Sequence, residues 1–468
     1  MTVHIKEIKN RESTLTERVM DEIRDRIDSH RQLPGTKLPS IRKFAEVMRV
    51  SKSTVVDAYD RLAAEGIIQA RKGSGFYVTG HLPPLTLSKI GPCPERVVDP
   101  LWVSRQSLDA EDEVLKPGCG WLPADWMPQD AIRRALRTLS RSENPVLVEY
   151  GTPHGFTPLR EFLVRRMANH GIEAGLDQVI LTESGTQAID LLFRFFIEPG
   201  DTVLVDDPCY FNFHAMLKAH RANVVSVPYT ANGPDLDVFQ KVLAESKPRL
   251  YITNSGVHNP TGASLSPAVA HHLLKLAEES DIVIIEDDIF SEFEDIPTPR
   301  LAAFDGLNQV VHIGSFSKTL SAASRCGYMA VRPDWVEGLI DLKIATSFGG
   351  GSFAAELAWR VLRDGSYRKH IDDLRVRLSQ ARGRASGRLK GIGINPWITP
   401  QAGMFLWCTL PGNLDAADVA KKALVKDIVL APGNVFSLSG SANQFLRFNV
   451  TQCSSPRIFE VLQDIISG

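Results

Sequence analysis

Four short stretches carry residues able to act on an amine or hold a phosphate. Lys318 lies in SFSKTLSAASRCGY, a primary amine placed just after the β-branched run VVHIG. Asp287 closes the run IVIIEDD, which is apolar enough to bury a carboxylate that would then need a cationic partner. A protonated pyridine nitrogen meets that need, and so does a structural salt bridge. Asn259 stands in SGVHNPTG, after RLYITN and before a Pro-Thr-Gly turn. Gly185 and Thr186 belong to ESGTQAIDLL, a turn that opens a helix after VILT. The free amides of such a first turn attract phosphate with help from the helix dipole. Singly, each stretch has an ordinary structural reading, a lone lysine being most often a solvated side chain. Their shared place after a strand is what joins them, because ligands of open parallel sheets collect at strand ends.

A second group could contact a polyanion. Arg42 opens one short helical stretch, and Ser51, Lys52, Ser53 and Thr54 crowd the start of the next. The N-terminal end of a recognition helix is where side chains meet base edges and amides meet phosphate. Arg71 and Lys72 sit at a hairpin tip with Gly73 and Gly75, which let backbone approach a phosphate or a minor groove.

The elements that must position these groups divide the chain in two. Residues 1–80 carry 15 Lys and Arg against 11 Asp and Glu, a basic head on a body of net negative charge. In the head, Leu15, Val19, Ile23 and Ile27 repeat every four residues, predicting an amphipathic helix. Ser40 caps a second helix with Ile41, Phe44, Ala45 and Met48 inward. Ser51 or Ser53 caps a third with Val55, Val56, Tyr59 and Leu62, ended by Gly66, and IIQARKGSGFYV follows as two short strands. Residues 81–114, with HLPPLTL, GPCPE and Pro100, predict an extended linker, since proline at this density opposes helix and sheet. From 115 to 468, β-branched runs alternate with helical stretches, predicting an α/β body with a mostly parallel sheet covered on both faces.

Composition excludes other classes. Hydrophobic residues make up 43% and charged residues 23% of 468, as in an ordinary globular protein. No window approaches the ~18 unbroken apolar residues of a membrane span. The first residues lack the apolar core of a secretory signal. The six cysteines show no CxxC or regular spacing, so free thiols are expected, with no disulfide framework and no metal site. A cytoplasmic location is the expectation.

The run PGTKLPSIRKFAEVMRVSKSTVVDAYDRLAAEGIIQARKGSGFYV resembles the GntR-type winged helix-turn-helix along essentially its whole length. The resemblance implies that Arg42, Ser51, Lys52 and Thr54 face the major groove of double-stranded DNA. It places the Arg71–Lys72–Gly73–Gly75 wing at the minor groove. The body, over roughly 115–465, resembles the fold-type I aminotransferases, which implies a large sheet domain and a smaller C-terminal α+β subdomain. In that family pyridoxal 5′-phosphate (PLP) forms a Schiff base with a lysine, here matched by Lys318. Asp287 matches the aspartate that keeps the ring nitrogen protonated, so the ring can withdraw electrons. Asn259 matches the residue bonding the ring phenolate. Gly185, Thr186, Ser315 and Arg325 match the phosphate cradle, and Tyr210, in DDPCYFNF, the aromatic stacked on the ring. Arg447, in LRFNV, matches the arginine that takes an amino-acid carboxylate with its planar fork. Tyr150, in YGTPHGF, matches a tyrosine that reaches the neighbouring subunit's phosphate, implying a homodimer. One departure stands out. The family places a tyrosine two or three residues after the aspartate, where this chain has Ile289 and Phe290, neither with a hydroxyl.

A GntR-type head fused to an aminotransferase-like body is the arrangement of the MocR subfamily of transcription regulators. The resemblance implies a DNA-binding regulator responsive to PLP, with an amino acid or amine as candidate effector. Two alternatives remain at this stage: an active aminotransferase carrying a DNA-binding head, and a dimerisation platform with a dead site. The retained set Asp287, Lys318, Arg325 and Arg447 argues against the last.

Overall fold

The computed structural model describes residues 14–28, 32, 35–71, 74–79, 98–141 and 147–467. Lys72, Gly73 and most of the expected linker lie outside them. Contacts divide the chain into two compact units, Met1–Ile90 and Gly91–Gly468.

The first unit has three helices, α1 (Leu15–Asp28), α2 (Ile41–Met48) and α3 (Lys52–Ala64), then strands β1 (Ile68–Arg71) and β2 (Gly75–Val78). The strands pair antiparallel with Ile68 opposite Val78. Val19, Ile23, Phe44, Val55, Tyr59 and Leu62 form its core. Tyr59 reconciles its ring with burial by donating its hydroxyl to the Pro39 carbonyl at 2.9 Å. One expected inward residue, Leu15, points out at 51% exposed, and Val56 of the third helix is 39% exposed. Met20 and Ala58 are buried in this core, as the 3.6-residue helical period allows and a strict step of four does not.

The second unit holds an eight-stranded sheet and a four-stranded one. The large sheet contains β3 (Val179–Thr182), β4 (Thr202–Asp207), β5 (Asn223–Thr230), β6 (Gly233–Pro234), β7 (Leu250–Thr253), β8 (Val283–Asp287), β9 (Val310–Ser315) and β10 (Gly327–Ala330). Their order is β3-β10-β9-β8-β7-β4-β5-β6. The five strands from β9 to β5 pair in parallel, and β10 runs antiparallel between β3 and β9. Successive residues feed opposite layers: Leu204, Ile284 and Val310 join one core, Val203, Val205, Ile285, Val311 and Ile313 the other. That is why the strands read as continuous apolar runs. The small sheet has β11 (Asn395–Pro396), β12 (Phe405–Thr409), β13 (Ala431–Pro432) and β14 (Phe445–Asn449) in the order β11-β12-β14-β13. The helix Ala416–Leu424 connects β12 to β13, and Pro456–Ser467 follows β14.

The expected linker is corrected at its C-terminal end. Trp102–Leu108 is a helix with Trp102 and Val103 fully buried in the body's core. The prolines cluster before this stretch, and WVSRQSL itself contains none, so an apolar helix face is free to form and dock. Leu115 then pairs in parallel with Ile428.

Among the described residues no helix is long and apolar enough to cross a membrane. Cys119, Cys209, Cys326, Cys408 and Cys453 are free and buried, and no group of metal-ligating side chains forms.

Candidate functional site

Strand β9 ends at Ser315, and the chain turns through Phe316, whose buried ring anchors the turn, to Lys318. The Ser317 amide donates to Ser315 Oγ at 3.3 Å, tightening it. Lys318 Nζ donates to the Gly120 carbonyl at 2.6 Å. Burial, and next the Arg447 charge, push the Lys318 ammonium down to about 8, while Asp287 pulls the other way. A share of the amine is therefore neutral near pH 7, the form that attacks a carbonyl.

On neighbouring β8, Asp287 is 3% exposed, and its Oδ1 has no hydrogen-bond partner. Burial raises its carboxyl to about 6, with Asp288 adding and Lys318 opposing. A buried carboxylate oxygen without a partner is what a ring N–H⁺ would satisfy. Asn259 is buried and accepts Arg447 Nη1 on its Oδ1 at 2.9 Å, which leaves the amide NH2 as the end able to donate to a phenolate. Arg447, on β14, is 1% exposed and pushed down to about 10 by burial. Its Nη2 donates to the Gly118 carbonyl at 2.8 Å, its Nε has no partner, and it forms no ion pair among the described residues. The guanidinium carbon lies 4.1 Å from the Phe405 ring centroid and 4.9 Å from that of Phe436. These rings hold the cation in place without neutralising it, as an anion receptor requires.

The candidate phosphate cradle is built on the helix Gly185–Phe196. Ser184 caps it, its side chain accepting from the Gln187 amide at 3.1 Å. A Cβ on Gly185 would stand 3.5 Å from Ile289 Cγ2 and 3.7 Å from Ser315 Cβ, so three strand ends converge there. Thr186 is exposed on the first turn. Arg325 is exposed in the left-handed region at φ 47° and makes no ion pair among the described residues. The amine, the orphaned carboxylate oxygen, the amide donor and the helix N-terminus fit PLP.

An open cleft joins Lys318, Asn259, Arg447 and Tyr210. Burial raises the Tyr210 hydroxyl's pKa. The structure does not bring Tyr150 to this cleft: it is 81% exposed and packs on Phe348, itself 65% exposed, with ring centroids 4.9 Å apart. Ile289 and Phe290 line the cleft where the expected tyrosine would stand.

Sequence reasoning missed the strap Gly118–Trp121, whose carbonyls receive Arg447, Lys318 and Asn449. Its signal was GCGW: a Cβ on Gly118 would fall 2.3 Å from the Leu430 carbonyl carbon. It also missed Gly327, where a Cβ would come within 2.6 Å of the Ser184 carbonyl carbon and 2.8 Å of the Gly185 nitrogen. Only glycine lets β10 pass so close to the cradle.

In the head, Arg42 is largely exposed, its charge held loosely by Glu46 at 3.6 Å, and Lys52 is exposed on the first residue of α3. Ser51 caps α3, accepting from the Thr54 amide at 3.1 Å, and its Oγ lies 2.8 Å from Thr54 Oγ1. Those two hydroxyls therefore serve the cap first, and Arg42 and Lys52 are the freer side chains. At the wing, Arg71 lies over the Tyr77 ring at 4.4 Å, and Gly75 takes a positive φ of 104°. Lys37, not singled out from sequence, pairs with Tyr77 across a β-bridge and adds a second described cation there.

Two family models match this chain: aminotransferase class I and II over residues 122–465, and bacterial regulatory proteins, gntR family, over residues 15–78. The HTH-type transcriptional regulator NorG of Staphylococcus aureus (strain USA300) is 27% identical over 443 residues, 92% of this chain and 98% of that protein. YdcR of Escherichia coli (strain K12), named an uncharacterized HTH-type transcriptional regulator, is 29% identical over 442 residues, 92% and 94% of the two chains. Among solved structures, Pyrococcus horikoshii kynurenine aminotransferase in complex with PMP matches with a TM-score of 0.72 at 26% identity, covering 80% of this chain and 95% of that one. The aminotransferase model covers most of this chain, and the chain belongs to the aminotransferase class I and II family, with a gntR-family helix-turn-helix fused ahead of that domain in the MocR arrangement.

Proposed function

We propose that this protein is a DNA-binding transcription regulator whose aminotransferase-like body binds PLP and, through it, senses an amino acid. The observation that carries the reading is the pairing, on one chain, of an aminotransferase class I and II domain that retains Lys318, Asp287, Asn259 and Arg447 with a gntR-family head. When bound, PLP supplies an aldehyde for amine capture and a ring that withdraws electrons. Lys318 presents the amine, with its proton held loosely by burial. With PLP bound, Asp287 would keep a proton on the ring nitrogen, Asn259 would donate to the phenolate, and Tyr210 would supply an aromatic face to the ring. Gly185, Thr186, Ser315 and Arg325 would hold the phosphate, and Arg447 would take the effector's carboxylate.

The body acts as a homodimer. Tyr150 and Phe348 form an exposed aromatic pair beside Val148, 87% exposed, and a second copy covers them. Tyr150 then completes the partner's phosphate site. Two heads engage two half-sites of a double-stranded operator, with Arg42 and Lys52 toward the major groove and the Arg71–Gly75 wing toward the minor groove. The protein works in the cytoplasm, where its DNA is.

A second reading, turnover of an amino acid by an aminotransferase, has the intact Lys318–Arg447 pair in its favour. Ile289 and Phe290 weigh against efficient turnover, because the cofactor's phenolate loses one hydrogen bond that tunes it. The test is direct. Purified protein should be yellow with PLP, and borohydride should fix the label on Lys318. It should bind DNA with strong salt dependence and transaminate slowly or not at all. Rapid transamination with no PLP effect on DNA binding would favour the second reading.

A further inference from the structure

We propose that the cleft selects an amino acid with an uncharged, apolar side chain, and that Val103 and Trp121 form the selecting wall. The inference rests on the regulator reading above and names the effector class. Only two charged side chains line the cleft among the described residues, Lys318 and Arg447, and both are cations. The amine chemistry occupies Lys318, and Arg447 has one open demand, the carboxylate. Within this subunit a second carboxylate on the ligand would find no cation of its own. A basic side chain would face both cations. The remaining wall is Val103, Trp121, Phe211, Ile289, Phe290 and Phe405, apolar surface that rewards an apolar side chain.

This wall is fixed in place. Trp121 rides on the strap whose carbonyls hold Arg447 at 2.8 Å, Lys318 at 2.6 Å and Asn449 at 2.7 Å. Val103 is 1% exposed on the helix Trp102–Leu108, and Ser104 beside it is half-buried at the cleft. That helix is the first described element after the head and its linker, so the effector's side chain lies against the part of the body from which the connection to the head departs.

The test titrates full-length, PLP-loaded protein with leucine, phenylalanine, glutamate, lysine and 2-phenylethylamine, which lacks the carboxylate. Tryptophan fluorescence and melting temperature report binding without turnover. Leucine and phenylalanine should bind at least ~10-fold tighter than glutamate, lysine or 2-phenylethylamine. Ser104→Lys puts a cation at the wall, and the glutamate-to-leucine preference should rise at least ~10-fold. Val103→Ala, which only enlarges the wall, should weaken leucine more than phenylalanine and checks the same surface should Ser104→Lys fail to fold. Glutamate or lysine matching leucine in the wild type, or no response to any amino acid, would overturn the inference while PLP uptake and DNA binding still stood. Failure of the wild type to take up PLP would overturn the reading beneath it as well.

Discussion

Arg447 donates to Asn259 across 2.9 Å, tying the small sheet's β14 to the turn that follows β7 of the large one. A residue matched to an effector carboxylate and one matched to the cofactor's ring are thus in direct contact. On the proposed assignment, an anion that drew Arg447 toward it would pull on the Asn259 amide through this one hydrogen bond.

The pH dependence of PLP capture follows from Lys318. Its ammonium loses its proton near 8, and the neutral amine is the reactive form. Below that pH the capture rate should climb about tenfold per unit, then level above it. Because the Arg447 charge helps hold the value down, Arg447→Met should move the midpoint upward. Stopped-flow absorbance across pH 6–10 measures both. A rate still climbing at pH 10 in the wild type would contradict the burial argument.

Gly327→Ala tests the cradle. Its Cβ would press on the Ser184–Gly185 peptide, which is backbone and cannot swing aside. PLP affinity should fall on the order of tenfold, with a stability loss of about 1–3 kcal/mol. Equilibrium dialysis and urea unfolding separate the two effects.

Tyr150→Phe removes only a hydroxyl from an exposed ring. The dimer should persist in sedimentation, and PLP should bind more weakly by roughly the ~1.5–3 kcal/mol of a hydrogen bond to a charged group. Mixed dimers of Tyr150→Phe and Lys318→Ala chains locate the defect: a hydroxyl acting across the interface restores one normal site per dimer.

In the head, Arg42→Ala should relax sequence preference, costing about 1–3 kcal/mol at its base. Lys37→Ala should weaken all sequences alike and lower the salt slope by about one. Uniform loss in both variants would remove the distinction between base reader and phosphate anchor.

Much of this was legible in the sequence because strands buried on both faces announce themselves, and the candidate site residues close or follow them. Lys318, Asp287, Asn259 and Gly185 were each found that way. What escaped depends on contacts distant in sequence. Gly120 meets Lys318 across 198 residues, and Gly118 meets Arg447 across 329, through backbone carbonyls that every residue type carries. The helix Trp102–Leu108 was lost in a proline-rich neighbourhood, although Trp102 is a poor linker residue and is fully buried. Thr54 illustrates a different limit: its hydroxyl suits a base edge in sequence, yet the cap with Ser51 claims it first.

The measurement closest to the central claim is operator affinity for wild type and Lys318→Ala, each with and without PLP. PLP can change DNA binding only by its difference in affinity for the competent and incompetent dimers, typically about 1–3 kcal/mol. Wild-type affinity should shift by that amount on adding PLP, and Lys318→Ala should bind DNA through its intact head with the response abolished or blunted. Wild-type affinity that ignores PLP, alongside rapid transamination, would contradict the account.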